Sequence, residues 1–249
     1  MNQFHPRCQL QGSLVALVTP MRGGAVDWVA FERLLEWHME QGTDGIVVCG
    51  TTGEAATLSS EERRKLVTKA RLKLLGRIPL VVGVGTNDTR TTITHAREAE
   101  LLGADALLAV TPYYNKPTQE GLFRHFTAIA DGVRIPLILY NPPQAKLRLS
   151  LEQIAQLRLL APNLIGAKLP GGDAAWYAER RRLLPDFSVF VPGHTVAFGR
   201  PLGADGAYSN VVCLGPRGAL HHWQLSATAP EAAVELERRI QQFMAQQVL

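Results

Sequence analysis

The stretch Leu164-Ile165-Gly166-Ala167-Lys168-Leu169 is an apolar run of strand length that contains one lysine. An amphipathic segment ending near Leu160 precedes it and the turn signal Pro170-Gly171-Gly172 follows it, so the run predicts a buried strand. The other lysines fall on the polar face of a predicted helix or in loops, and they are Lys65, Lys69, Lys73, Lys116 and Lys146. Lys168 is therefore the lysine that we expect burial to withdraw from water.

Burial of Lys168 would change its chemistry. Because burial disfavours an ammonium, we expect the pKa of Lys168 to fall below the free value of about 10.4. A neutral amine can attack a ketone and form a Schiff base. The alternative is a strand-end lysine that extends its ammonium into water or pairs with a carboxylate. The position of Lys168 alone leaves both interpretations open.

Short apolar runs alternate with amphipathic helical stretches along the whole chain. Eight such units can be distinguished, with apolar runs at residues 14–18, 45–49, 79–84, 106–110, 136–140, 164–169, 187–191 and 206–209. Continuous apolar strands between helices predict parallel strands covered by helices, and eight units predict a closed α/β fold, the (β/α)8 TIM barrel. No GxGxxG motif follows the first run, which argues against a dinucleotide-binding open sheet.

The length of 249 residues fits one barrel of about 250 residues, and no linker interrupts the chain. We predict a barrel over residues 1–215 and the start of a C-terminal helical region over residues 216–249. The helix predicted over residues 231–249 has an apolar face and no closing cap.

Charge and cysteine content exclude several classes of protein. The net charge is +4 and the arginines are spread over predicted helices, without the basic face that nucleic-acid binding needs. Cys8, Cys49 and Cys213 lack CxxC spacing, so they indicate neither a disulfide framework nor a zinc site. Residues 1–11 lack the apolar core of a signal peptide, and no apolar run approaches the roughly 18 residues of a membrane span. We expect a cytoplasmic protein without nucleic-acid or membrane partners.

In such a barrel the chemistry lies at the carboxyl ends of the strands. The residues found there are Thr51 and Thr52 after the second strand, Tyr113 and Tyr114 after the fourth, Tyr140 ending the fifth and Lys168 on the sixth. A tyrosine hydroxyl near an imine can move protons, and a threonine hydroxyl can join two phenols in a relay. The turn over residues 50–53 offers hydroxyl and N–H donors for the carboxylate of a keto acid.

Each of these residues also has an ordinary structural explanation, such as a packed tyrosine or a capping threonine. Their joint placement around one buried lysine is what favours a site. No HExxH, GxSxG or Walker motif competes with it. His194, which follows the seventh strand, is interpreted as a structural residue or a substrate contact rather than a metal ligand.

These segments resemble the dihydrodipicolinate synthase and N-acetylneuraminate lyase family of class I aldolases. The resemblance runs from about Ser13 to Asn210. The matching segments are Gly50-Thr51-Thr52-Gly53-Glu54, Thr111-Pro112-Tyr113-Tyr114-Asn115-Lys116-Pro117-Thr118-Gln119-Glu120-Gly121, Tyr140-Asn141 and Gly166-Ala167-Lys168.

The resemblance implies a (β/α)8 barrel in which Lys168 forms a Schiff base with pyruvate or another 2-oxo acid, without a cofactor or a metal. It implies that Tyr140 is the acid/base, that Thr51 and Tyr114 complete a proton relay, and that Thr52 with Gly50 binds the carboxylate. In this family a neighbouring subunit commonly contributes the second tyrosine, so a homo-oligomer, typically a dimer of dimers, is implied. The doubled threonine is similar to the synthase branch, which condenses pyruvate with aspartate semialdehyde in lysine biosynthesis.

The sequence departs from the family pattern at three points, and the first bears on the substrate. Ala145 stands where the synthases carry an arginine that grips the carboxylate of the aldehyde. Lys146 or Arg148 could substitute, although neither reproduces a bidentate fork at that position. The second departure is Leu169-Pro170, which follows Lys168 where relatives usually have a polar residue. The third is at the C-terminus, where relatives continue for several more helices, so we expect the C-terminal helical extension to be truncated.

Two alternatives stay open on these grounds. A paralogous aldolase or hydratase-aldolase would act on a sugar acid, N-acetylneuraminate or an aromatic aldehyde, and the missing arginine favours it. A non-catalytic barrel would bind a 2-oxo acid as a sensor, which Pro170 and the C-terminus suggest.

Overall fold

The computed structural model describes residues 10–142 and 145–247. Most of the N-terminal segment interpreted above, Pro143 and Gln144 of the segment after Tyr140, and the last two residues of the helix predicted at the C-terminus lie outside the described residues. The strands are β1 (Gly12–Ala16), β2 (Met21–Arg22), β3 (Ala25–Val26), β4 (Gly45–Val48), β5 (Leu80–Gly83), β6 (Ala106–Val110), β7 (Leu137–Tyr140), β8 (Leu164–Lys168), β9 (Ser188–Pro192) and β10 (Gly206–Ser209). The helices are α1 (Trp28–Glu40), α2 (Ser60–Leu74), α3 (Thr89–Leu101), α4 (Gln119–Asp131), α5 (Leu151–Leu160), α6 (Ala174–Leu183), α7 (Val196–Leu202), α8 (Pro216–Thr228) and α9 (Pro230–Gln247).

Eight of the strands close into a parallel barrel in the order β1-β10-β9-β8-β7-β6-β5-β4. The weakly predicted strand at residues 206–209 completes it, because β10 pairs with β9 on one side and with β1 on the other. The (β/α)8 prediction is therefore confirmed. The short antiparallel hairpin of β2 and β3 was not predicted.

Two apolar layers hold the barrel together. One lies between the strands and the helices, and the other fills the barrel interior with side chains that include Leu14, Val81, Ile138 and Phe190. The barrel interior is thus a packed core, so a ligand site is expected beyond the carboxyl ends of the strands. Capping explains several helix starts. Asp27 accepts a hydrogen bond from Ala30 N, and capping boxes form at Ser59–Glu62 and Ser150–Gln153 as predicted.

A Gly-x-Asp motif precedes three of the barrel strands, at their amino ends. The segments are Gly42-Thr43-Asp44, Gly103-Ala104-Asp105 and Gly203-Ala204-Asp205. Gly103 has a φ of +86°, which ends α3 at little steric cost. The Asp105 backbone N–H then donates to the carbonyl of Leu80 at 2.9 Å, and its carboxylate accepts from the Leu80 N–H at 2.9 Å.

The same pair of bonds recurs at the other two aspartates. Asp44 pairs in this way with Ser13, and Asp205 pairs with Val189. Each aspartate therefore fixes the start of its own strand against the start of a neighbour, at the face of the barrel opposite the strand carboxyl ends. Because a buried backbone N–H without a partner is costly, these bonds help to set the strand register.

The C-terminal helices pack on one side of the barrel. Helix α8 contacts β1 and α7, and α9 contacts α8 and α7. The predicted division between residues 1–215 and 216–249 stays a prediction. Within the described residues, no helix combines the length and the apolar character needed to cross a membrane.

Candidate active site

The carboxyl ends of the barrel strands surround a cavity of about 860 Å³. Every predicted site residue lies in its wall, although their roles stay predictions. The predicted residues found there are Gly50, Thr51, Thr52, Tyr114, Tyr140, Lys146 and Lys168, together with Tyr113 and His194.

Lys168 is the last residue of β8 and pairs in register with Tyr140, the last residue of β7. Its side chain is half-buried, and burial lowers the pKa of Lys168 to about 8. The Lys168 Nζ lies 4.4 Å from the centroid of the Tyr140 ring and 5.8 Å from that of Tyr208. No carboxylate among the described residues forms an ion pair with it. The amine is thus available to a ligand in the cavity.

Tyr140 is half-buried, and burial raises its pKa above the usual value of 10. The phenol therefore keeps its proton at neutral pH and can donate it to an oxygen that develops negative charge nearby. Tyr208 is a neighbour that the sequence analysis missed. It lies on β10, stacks on Phe190 with ring centroids 4.7 Å apart, and faces the barrel interior. The alternation of side chains along the eighth strand is the signal that could have found it.

The turn that carries Thr51 and Thr52 is held by its surroundings. Thr19 Oγ1 donates to the carbonyl of Gly53 at 2.7 Å, and the buried Arg63 Nη2 donates to the carbonyl of Gly83 at 2.6 Å. A Cβ at Gly83 would lie 2.2 Å from the carbonyl oxygen of Cys49, so only glycine lets this strand end approach the turn. These contacts hold the backbone of the turn that borders the cavity.

Tyr114 differs from the other tyrosines of the site. It is 79% exposed and its φ of +74° lies in the left-handed region, which is uncommon for a residue that is not glycine. In the part of the chain that the structure describes, no hydrogen bond joins Thr51 to Tyr114 or to Tyr140. A single copy of the chain therefore does not close the predicted relay.

The segment after β7 is held by Asn141. Its buried side chain donates to the carbonyl of Leu149 at 3.0 Å and accepts from the Leu149 N–H at 3.2 Å. Lys146, between them, is exposed, and its Nζ lies 5.7 Å from the centroid of the Tyr114 ring. No arginine is among the described residues that line the cavity, and Ala145 lies in its wall.

His194 lines the cavity where the chain leaves β9. The pKa of His194 is lowered, first by partial burial and second by the charge of Lys168, so the imidazole is neutral at pH 7. Across residues 10–142 and 145–247, no group of three or more histidine, cysteine, aspartate and glutamate side chains is placed to hold a metal ion.

Comparison with known proteins finds relatives of this chain among synthases of one family. A 4-hydroxy-tetrahydrodipicolinate synthase of Alkaliphilus oremlandii is 46% identical over 182 residues, which is 72% of this chain and 62% of that relative. One from Laribacter hongkongensis is 41% identical over 93% of this chain and 79% of the relative. The match thus spans about three fifths of the length of the first of these relatives and about four fifths of the second.

The fold and the family model agree with these sequence relatives. The crystal structure of the chloride-inhibited dihydrodipicolinate synthase from Acinetobacter baumannii, complexed with pyruvate, is 42% identical and superposes with a TM-score of 0.85. The superposition covers 92% of this chain and 80% of that one. The model of the dihydrodipicolinate synthetase family matches residues 9–247. The chain belongs to the dihydrodipicolinate synthetase family.

Proposed function

We propose that this chain is a class I lyase in which Lys168 forms a Schiff base with pyruvate, and that it condenses pyruvate with aspartate semialdehyde in lysine biosynthesis. The observation that carries the proposal is the amine of Lys168, which lies in the cavity with a pKa of about 8 and 4.4 Å from the Tyr140 ring centroid. The curated relatives reported above bear the name of a synthase of this reaction, which supports the choice of substrates.

The Schiff base forms in two steps. The neutral Lys168 Nζ adds to the ketone carbon and gives a carbinolamine, which loses water to become an imine. Tyr140 supplies a proton to the departing oxygen, and it can later accept one, because its phenol lies beside the amine and is protonated at neutral pH. Loss of a proton from the adjacent carbon gives an enamine, whose carbon forms the new bond to the aldehyde.

The proton relay closes between two copies of the chain in this proposal. The 79% exposure of Tyr114 and its strained backbone support a side chain that inserts into the site of a neighbour. Thr51 would then join the inserted Tyr114 to Tyr140. The active form is accordingly a homo-oligomer, a dimer of dimers, in the cytoplasm.

Two groups of donors bind the carboxylates of the substrates. Thr52 and the backbone at Gly50 bind the carboxylate of pyruvate at the turn after β4. Lys146, at the rim of the cavity, attracts the carboxylate of the aldehyde as a point charge in place of an arginine fork. A lysine ammonium binds a carboxylate less directionally than the bidentate guanidinium of an arginine. We therefore expect a weaker preference for acidic aldehydes than an arginine at this position would give.

A paralogous aldolase for a sugar acid or an aromatic aldehyde is the second candidate. One feature of the cavity wall favours this candidate. Ala145 lies in the wall, and no arginine is among the described residues that line it, so the acceptor meets more space and less positive charge. A 2-oxo acid sensor without turnover is the third.

A panel of aldehydes assayed with pyruvate separates the three candidates. The proposal predicts the highest kcat/KM for aspartate semialdehyde, and a Lys146→Ala variant should raise the KM of this acidic aldehyde. Lys116→Ala, which removes an exposed lysine outside the cavity wall, is the matched control. A higher kcat/KM for a sugar or aromatic aldehyde would favour the paralogue, and pyruvate binding with no turnover of any aldehyde would favour the sensor.

A further inference from the structure

Helix α9 lies outside the barrel, yet two of its side chains hold the segment that bears His194. Glu237 Oε2 accepts a hydrogen bond from the backbone N–H of Ala197 at 2.8 Å. Gln241 Nε2 donates to the carbonyl of His194 at 2.9 Å. Residues four apart lie on the same face of a helix, so both bonds come from one face of α9 and reach one stretch of backbone.

Glu237 is an unusual residue for a packed helix face, because it is only 2% exposed. A buried carboxylate is costly unless hydrogen bonds stabilise it, and an apolar side chain would pack there without that cost. The Nε2 of His222 lies 3.7 Å from the Glu237 carboxylate, and burial lowers the pKa of His222. The hydrogen bond that stabilises this carboxylate comes from the backbone N–H of Ala197.

Packing and hydrogen bonds both hold this segment, since Val196 and Ala197 are buried. A second cavity of about 250 Å³ lies beneath it, with Gly193 and Val196 on one side and Leu236 and Ile240 of α9 on the other. Beside this cavity, the hydrogen bonds from Glu237 and Gln241 join the segment to α9.

The same segment forms part of the active-site wall. Pro192, Gly193, His194 and Thr195 line the main cavity, and the charge of Lys168 acts on His194. A displacement of this backbone would move the imidazole relative to the amine that attacks the substrate.

We propose that Glu237 and Gln241 are positioning residues that hold residues 193–197 and thereby place His194 in the wall of the active-site cavity. Neither touches the substrate. The effect on turnover rests on the proposed function, whereas the placement of His194 does not.

The placement is tested by the titration of His194, followed by nuclear magnetic resonance and assigned with a His194→Gln variant. Wild-type His194 should titrate below its ordinary pKa of 6.5. In Gln241→Ala, which alters an exposed side chain and should fold, the pKa of His194 should rise toward 6.5 because the imidazole loses part of its burial and moves away from the charge of Lys168. Gln242→Ala, on the exposed neighbouring position, should titrate as the wild type does. Identical titration in wild type and Gln241→Ala would overturn the proposal.

Kinetics with the full chain give the second readout. Glu237→Ala and Gln241→Ala should each lower kcat/KM for the condensation, by up to about 100-fold for a misplacement of about 1 Å in the site. Glu237→Gln keeps an oxygen that accepts from Ala197 and should restore most of the activity. Equal losses in Glu237→Gln and Glu237→Ala, or none in Gln241→Ala, would contradict a positioning role. If wild-type protein forms no adduct with pyruvate, the proposed function fails while the titration still decides the placement.

Discussion

At the scale of one residue, the chemistry depends on the fraction of Lys168 that is neutral at working pH. With a pKa of about 8, about one amine in ten is neutral at pH 7, compared with fewer than about one in a thousand for an ordinary lysine. The sequence predicted this effect because Lys168 is the one lysine in an apolar strand. It did not predict Tyr208, because the ends of β8 and β10 meet only through the pairing of both strands with β9.

The pH dependence of Lys168 labelling should report this pKa. Since only the neutral amine reacts with acetic anhydride, labelling should rise about tenfold per pH unit below pH 8 and level off above it. Mass spectrometry of the peptide that contains Lys168 measures the extent at each pH. Labelling that keeps rising to about pH 10.4, as for a lysine in water, would show that burial does not lower this pKa.

Removal of one hydroxyl tests the acid/base role of Tyr140. Tyr140→Phe should lower kcat by roughly 10² to 10⁴ while the unfolding midpoint stays close to that of wild type, because the lost group donates protons rather than packing. Tyr177→Phe is a matched control, since this buried tyrosine of α6 has a hydroxyl without a hydrogen-bond partner among the described residues and lies outside the cavity wall. Near-normal turnover in Tyr140→Phe would remove it from this role.

At the scale of the elements, helix caps were predicted more accurately than strand ends. The capping boxes of α2 and α5 form at the predicted residues because they depend on side chains three positions apart. The first strand, predicted over residues 14–18, begins at Gly12 because its start is fixed by pairing with β10. The start of a strand is set by pairing with residues distant in the chain. A local apolar pattern carries no information about those partners.

The hydrogen bonds of the Gly-x-Asp motif should contribute to the stability of the fold. Asp105→Ala leaves the N–H of Leu80 without its partner and should lower the free energy of unfolding by about 1–3 kcal/mol. Asp105→Asn keeps an oxygen that can accept this hydrogen bond and should cost less. Urea unfolding measures both variants.

Activity measured on the same variants shows whether the loss of the Asp105 hydrogen bond affects stability alone or also the active site. Because Asp105 lies at the amino ends of the strands, kcat of the folded Asp105→Ala variant should match that of the wild type. An unchanged unfolding free energy for Asp105→Ala would show that the bond to Leu80 does not hold the strand start.

At the scale of the whole molecule, closure of the barrel converts residues scattered over the chain into one site. Strand ends separated by more than a hundred residues, such as those at Thr51 and Lys168, border the same cavity. The order of strands follows from the repeated strand-helix pattern, so the set of strand-end residues could be predicted. The contacts of α9 with the segment that bears His194 could not be predicted, because Glu237 and Gln241 look like any polar residues of an amphipathic helix.

Reductive trapping tests most directly whether the amine of Lys168 bonds to the carbonyl carbon of pyruvate. Wild-type protein incubated with pyruvate and sodium borohydride should gain the mass of one reduced adduct, and peptide mapping should place the adduct on Lys168. Lys168→Ala should gain none under the same conditions. An unmodified Lys168 in wild-type protein, or an adduct on another lysine, would contradict the account.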